Sequence, residues 1–172
     1  MGRRSTRDNK TIYQLCREET GLTREKAGEL MDGMSASRID KIEREEQSPT
    51  PYDVVQMANA YNKPELCNIF CTETCEIGRK YQQKVEVTDL SDITLETIAS
   101  LNDLLPMTGR LIQIARDGRI SEDEIRDFAL ISSKLDEIAK AITALDLWIE
   151  KTAGRKGLDR DKLMEEKEKL RK

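Results

Sequence analysis

The chain has 172 residues, 36% of them charged and 4% aromatic, with nine Gly and four Pro. That balance favours helices with solvated faces over a strand-rich core, and it predicts an all-α protein. The net charge of −4 argues against indiscriminate coating of nucleic acid, and no apolar run reaches the roughly eighteen residues needed to span a bilayer.

The opening MGRRSTRDNKTIYQ has no apolar segment that would make its arginines a secretion signal, so the expected location is cytoplasmic. In that compartment the four cysteines are expected as reduced thiols or metal ligands rather than disulfides. Charge is unevenly placed. Arg3, Arg4, Arg7 and Lys10 face Asp8 alone in the first fourteen residues, and residues 1–9 read as a basic arm. The head through Lys84 is balanced, with 14 basic and 14 acidic residues, so the acidic excess lies beyond it, in the half less suited to meet phosphates.

Taken in order, Ile12, Leu15 and Cys16 are spaced for one apolar face of a first helix, which Gly21 ends. Thr23 is placed to cap a second, TREKAGELM, with Glu25 in its first turn. Asp32-Gly33 breaks that helix, because glycine takes the positive φ of a tight reversal at little steric cost. Ser35 caps a third helix that carries Ile39 and Ile42 inward and Ser37, Arg38, Asp40, Lys41 and Arg44 outward. Gln47 to Pro51 ends it and starts a fourth, with Val54, Val55, Met57, Ala58 and Tyr61 apolar; a short fifth begins at Pro64.

Residues 78–90 lose the helical period and read as a linker, with one short extended piece at Val85 to Val87. Helix returns at Ser91 with Ile98, Leu101, Leu105, Ile112 and Ala115, and Pro106 is expected to kink or break it. Asp117-Gly118 turns the chain, and Ser121 with Glu124 forms a capping box for the last long helix. Phe128, Ile131, Leu135, Ile138, Ile142, Leu145 and Ile149 then alternate by three and four, a heptad seam. The predicted plan is a head over 10–77, a linker over 78–90, a helical hairpin over 91–153 and a charged tail over 154–172.

Within the head, CREETGLTREKAGEL, SASRIDKIERE and PTPYDVVQMANAY resemble the helices of the lambda-repressor-like helix-turn-helix family, often called the Xre family. The resemblance covers residues 10 to 66 and implies a five-helix DNA-binding domain whose third helix enters the major groove. Arg17 and Glu43 occupy the positions at which that family commonly ties helix one to helix three; the other reading is two unrelated surface charges. On the same resemblance, Ser35, Ala36, Ser37, Arg38 and Lys41 are expected near the groove, and Thr23, Arg24, Arg44 and the arm residues Arg3 and Arg4 near the DNA backbone or minor groove. The chain departs from the family in a turn one residue longer, at Asp32-Gly33-Met34, and in Gly28 where Ala is common. The bland alternative is a solvated helix face, since Arg38, Lys41 and Arg44 stand among Asp40, Glu43, Glu45 and Glu46.

Cys67, Cys71 and Cys75 recur every four residues, and in this arrangement helix five packs near helix one and Cys16. Four sulfurs about 4 Å apart around a zinc ion or an iron–sulfur cluster would require helix five to end near Cys71. Packed thiols, or a disulfide formed during preparation, are the other readings. QIARDGRISEDE resembles half of an EF-hand loop, but Gln113 and Ala115 stand where carboxylates are needed, so it reads as a turn.

No histidine, phosphate loop or nucleophile elbow supports catalysis. The seam leaves apolar area that either packs on the chain's own head or pairs with a second copy in a four-helix bundle. The expectation is a sequence-specific regulator, more of the repressor type, that binds double-stranded DNA as a homodimer. Its rival is an adaptor that uses a helix-turn-helix relic and the hairpin to bind protein partners.

Overall fold

The structure, a computed structural model, describes residues 9–116, 118–152 and 159–171. The arm residues Arg3, Arg4 and Arg7, Asp117 of the predicted turn and the start of the predicted tail lie outside the described residues. All regular structure among the described residues is helical, in two compact units, 1–84 and 85–172.

The first unit contains α1 (Ile12–Glu19), α2 (Arg24–Glu29), α3 (Ala36–Glu43), α4 (Pro51–Tyr61), α5 (Glu65–Glu73) and α6 (Glu76–Tyr81). Thr11, Thr23, Ser35 and Thr50 cap α1 to α4, each side chain accepting from a backbone N–H three residues on and satisfying a donor the helix start leaves open. The core joins Ala27, Met31 and Met34 to Ile39 and Ile42 of α3, Val54, Met57 and Tyr61 of α4, and Leu66 and Phe70 of α5.

The predicted inner face of α1 is corrected. Ile12 and Leu15 are 37% and 42% exposed, whereas Gln14, Cys16 and Arg17 are buried. The helix is rotated because Arg17 has an interior partner, and an arginine whose fork is fully engaged tolerates burial that an unpaired one would not.

The lengthened turn and Gly28 have a common cause. Gly33 takes φ +68°, and a Cβ built on Gly28 would lie 2.7 Å from the Met34 carbonyl oxygen. The turn's backbone therefore crosses α2 where alanine would collide with it.

Residues 78–90 are less of a linker than their sequence suggests, because α6 occupies the first of them; Val85 to Val87 form no strand. In the second unit, α7 (Leu90–Leu104) ends at a 3₁₀ turn, Leu105–Met107, and α8 (Thr108–Ala115) follows. This is the break that Pro106 requires, since proline lacks the N–H the helix needs. α9 (Ile125–Thr152) is about 42 Å long at 1.5 Å per residue. Ser121 donates from both its N–H and its hydroxyl to the Glu124 carboxylate, at 3.1 and 2.6 Å, so the predicted capping residues form the turn before α9. α10 (Arg160–Leu170) buries no residue. No helix among the described residues is long and apolar enough to cross a membrane.

Candidate nucleic-acid interface

The third helix is held from below by side chains that water does not reach. Ile39 and Ile42 are essentially fully buried, and the Glu43 side chain has no exposed area. Arg17 meets that carboxylate with both edges of its fork, Nε donating to Oε1 at 2.6 Å and Nη2 to Oε2 at 2.9 Å. Its remaining nitrogen, Nη1, donates to the Leu22 carbonyl at 2.7 Å. Burial alone would lower the Arg17 pKa, but the hydrogen bonds and charge of Glu43 hold it above its ordinary value.

Arg24 adds a second cation to the same carboxylate, donating from Nε to Glu43 Oε2 at 2.8 Å, and its Nη2 lies 3.3 Å from Asp40. Glu43 thus ties α1 and α2 to α3, and the backbone-contact residue expected at 24 is engaged within the protein.

The amino end of α3 is open. Ser35 and Ser37 are exposed and Ala36 is half-buried, with Ser35 Oγ accepting from Arg38 N at 3.2 Å. Small side chains stand at this helix start, which carries the positive end of the helix dipole. Lys41 is exposed and forms no ion pair with a described residue. Arg44 is also exposed, within 3.6 Å of Asp40 and 3.4 Å of Glu46, and Thr23 is half-buried at its cap. Arg3 and Arg4 lie outside the described residues.

Arg38 is placed differently from its neighbours. Its Nε and Nη2 donate to the two carboxylate oxygens of Asp53 at 2.9 and 2.6 Å, and Asp53 also accepts from the backbone N–H of Thr50 at 2.7 Å. The fork links the start of α3 to the start of α4, which makes Arg38 a positioning residue whose hydrogen-bonding edge faces its own protein. Sequence reasoning missed Asp53, although Thr50-Pro51-Tyr52-Asp53 is a capping pattern that could have marked it.

The Arg38 hydrogen bonds, more than those of Thr50 and against the effect of burial, lower the Asp53 pKa from 3.8 to about 2. Because the folded value is depressed, the stabilisation is complete above about pH 4 and is lost as pH falls toward 2. Arg38→Ala is expected to lower stability at pH 7, with most of the deficit lost as pH falls from about 4 toward 2. Denaturant titrations at several pH values measure it, and a deficit unchanged down to pH 2 would exclude the pairing.

The cysteines are divided among three helices, α1, α5 and the start of α6. α5 continues to Glu73, so Cys67 and Cys71 lie a turn apart on one helix and Cys75 follows as the cap of α6, its sulfur accepting from Gly78 N at 3.4 Å. Cys16 is buried in α1, and among the described residues no three Cys, Asp or Glu are grouped to hold a metal ion. Small thiols packed against the core account for Cys67, Cys71 and Cys75 as placed.

The predicted seam of α9 is not one surface. Ile131 is buried, Ile138, Leu145 and Ile149 are half-buried, and Phe128, Leu135 and Ile142 are exposed. α7 packs along α9 on a face that includes Ile131, Ala141 and Ala144, so the predicted row straddles its edge.

A short helix, a tight reversal and a second helix with an open amino end define the first unit as a helix-turn-helix domain, the class through which DNA-binding regulators present a helix to the duplex. The helix-turn-helix family model matches residues 14–66, under a third of the chain, and the match is of the lambda-repressor-like, Xre type. No curated protein and no solved structure matches the chain.

Proposed function

We propose that this protein is a sequence-specific transcriptional regulator of the repressor type that binds double-stranded DNA as a homodimer. One observation carries the DNA reading: α3 is anchored by Ile39, Ile42 and Glu43 while its Ser35-Ala36-Ser37 end stays open. Base contacts fall to Ser35, Ser37 and Lys41, and Arg44 with the arm residues Arg3 and Arg4 supplies backbone contacts. Arg24 and Arg38 keep α3 at its angle. Arg17, Arg24 and Arg38 are engaged within the domain and add little to its affinity for arbitrary DNA, and two linked copies reading two half-sites raise both affinity and discrimination.

Selection of bound duplexes from a random pool, followed by salt titration on the enriched sequence, tests this. A regulator enriches a discrete motif and loses affinity steeply as salt rises; an adaptor built on a helix-turn-helix relic enriches none.

A further inference from the structure

The hairpin of α7 and α9 is closed on one side only. Asp103 pairs with Lys134 at 2.9 Å and Arg110 with Asp127 at 2.7 Å, so positions fall along α9 as they rise along α7 and α8, and the helices run antiparallel. α7 buries Ile93 and Ser100, and α9 buries Ile131, Ala141 and Ala144.

Beside each buried row runs a second one at the same three-four spacing. On α9 it is Ile125, Phe128, Ser132, Leu135, Ala139 and Ile142; on α7 it is Leu90, Thr94, Ile98 and Leu101, continued by Leu105 at the start of the 3₁₀ turn. At 3.6 residues per turn the second row lies about 110° further round α7 and about 145° further round α9 than the buried row, in the same rotational sense when viewed from each helix's own N-terminus. Because the helices are antiparallel, rotations of the same sense bring both rows out on one face of the hairpin.

That face is apolar and open: Ile98, Leu101 and Leu105 are 51%, 45% and 64% exposed, and Phe128, Leu135 and Ile142 are 37%, 44% and 53% exposed. These six side chains expose on the order of 500 Å² of surface, near the upper end of the largest apolar patch on an ordinary monomer. It also approaches the non-polar share of the roughly 800 Å² that each partner of a stable complex buries.

The charge pattern selects the occupant. Neither row contains a charged residue from Leu90 to Leu105 or from Ile125 to Ile142; Asp92, Glu96 and Asp103 lie on another side of α7, Asp136 borders the α9 row, and Asp146 continues that row one turn beyond Ile142. In a two-fold pairing a charge within either row would confront a charge of its own kind or lose its water, so an uncharged face with helical spacing on both strands suits a copy of itself.

We propose that the face built by Ile98, Leu101, Leu105, Phe128, Leu135 and Ile142 is where a second copy of this chain docks, closing a four-helix bundle. This rests on the dimeric reading above and assigns its surface, adding α7 residues to a seam that sequence placed on α9 alone.

Light scattering of the full chain at micromolar concentration tests it. The unaltered chain and Glu96→Lys, on the charged side of α7, are expected at twice the chain mass, and Leu101→Lys/Leu135→Lys at the single mass with its helical circular dichroism retained. If the unaltered chain and the lysine pair are both dimeric, the dimer stands and this face is wrong. If the unaltered chain is monomeric, the dimeric reading falls with it, while the DNA reading is untouched. Should the lysine pair lose helix, Ile98→Ser/Ile142→Ser is expected to raise the dimer dissociation constant at least tenfold, and no change would overturn the assignment.

Discussion

Replacing Glu43 with alanine is expected to lower the stability of the helix-turn-helix unit by about 3–5 kcal/mol, a large part of what a domain of this size has in reserve. Much of that loss comes from what remains. Arg17 is 7% exposed and would keep a single hydrogen bond, to the Leu22 carbonyl, with only the Glu18 carboxylate, 4.0 Å away and shared with Lys10, as a counter-charge. Arg24, with about a third of its side chain exposed, can turn to Asp40 or to water and adds less. The double variant Arg17→Met/Glu43→Leu removes both charges and keeps apolar volume, so it is expected to recover most of the loss, because a buried pair exchanged for packed hydrocarbon is often neutral. Denaturant midpoints of the two variants measure the difference. Equal destabilisation by both would mean that packing, not the orphaned guanidinium, sets the cost.

Ser37→Glu is expected to do the opposite to fold and function. The residue is exposed in the first turn of α3, where a carboxylate meets the positive end of the helix dipole, so stability should hold or rise by about 0.3–1 kcal/mol. Against DNA the same carboxylate faces phosphates and the acceptor-rich groove, and binding is expected to weaken about 100-fold or more, equivalent to about 3 kcal/mol. Ser37→Ala, which removes a hydroxyl without adding charge, should cost under tenfold. A stable Ser37→Glu protein with unchanged DNA affinity would remove the amino end of α3 from the interface.

How far these features were legible in sequence follows from the range over which each is determined. Ile39 and Ile42 were readable because a helical period and a serine cap are local, and the caps at Thr23 and Ser35 likewise need only their own turn. The face of α1 was not, because Arg17 is drawn inward by a carboxylate 26 residues away and takes Gln14 with it, exposing the Ile12 and Leu15 that periodicity had put inside. Arg38 shows the same limit: an outward arginine on a predicted recognition helix has a partner 15 residues on, in the next helix. In α9 the three-four spacing announced a packed row, yet two adjacent rows share that spacing. Small side chains at Ala141 and Ala144 lie on the one that α7 packs against. Cysteines every four residues describe a helical stripe equally well whether the sulfurs bind metal or pack.

The central claim is that the open end of α3 reads base sequence, and selection of duplexes by the full chain from a random pool tests it most directly. The prediction is enrichment of one short motif, occurring as paired half-sites about one helical turn or a multiple of it apart, with binding of that motif lost in Ser37→Glu. A pool that emerges without any enriched motif, from protein whose helical content and unfolding midpoint are intact, would contradict it.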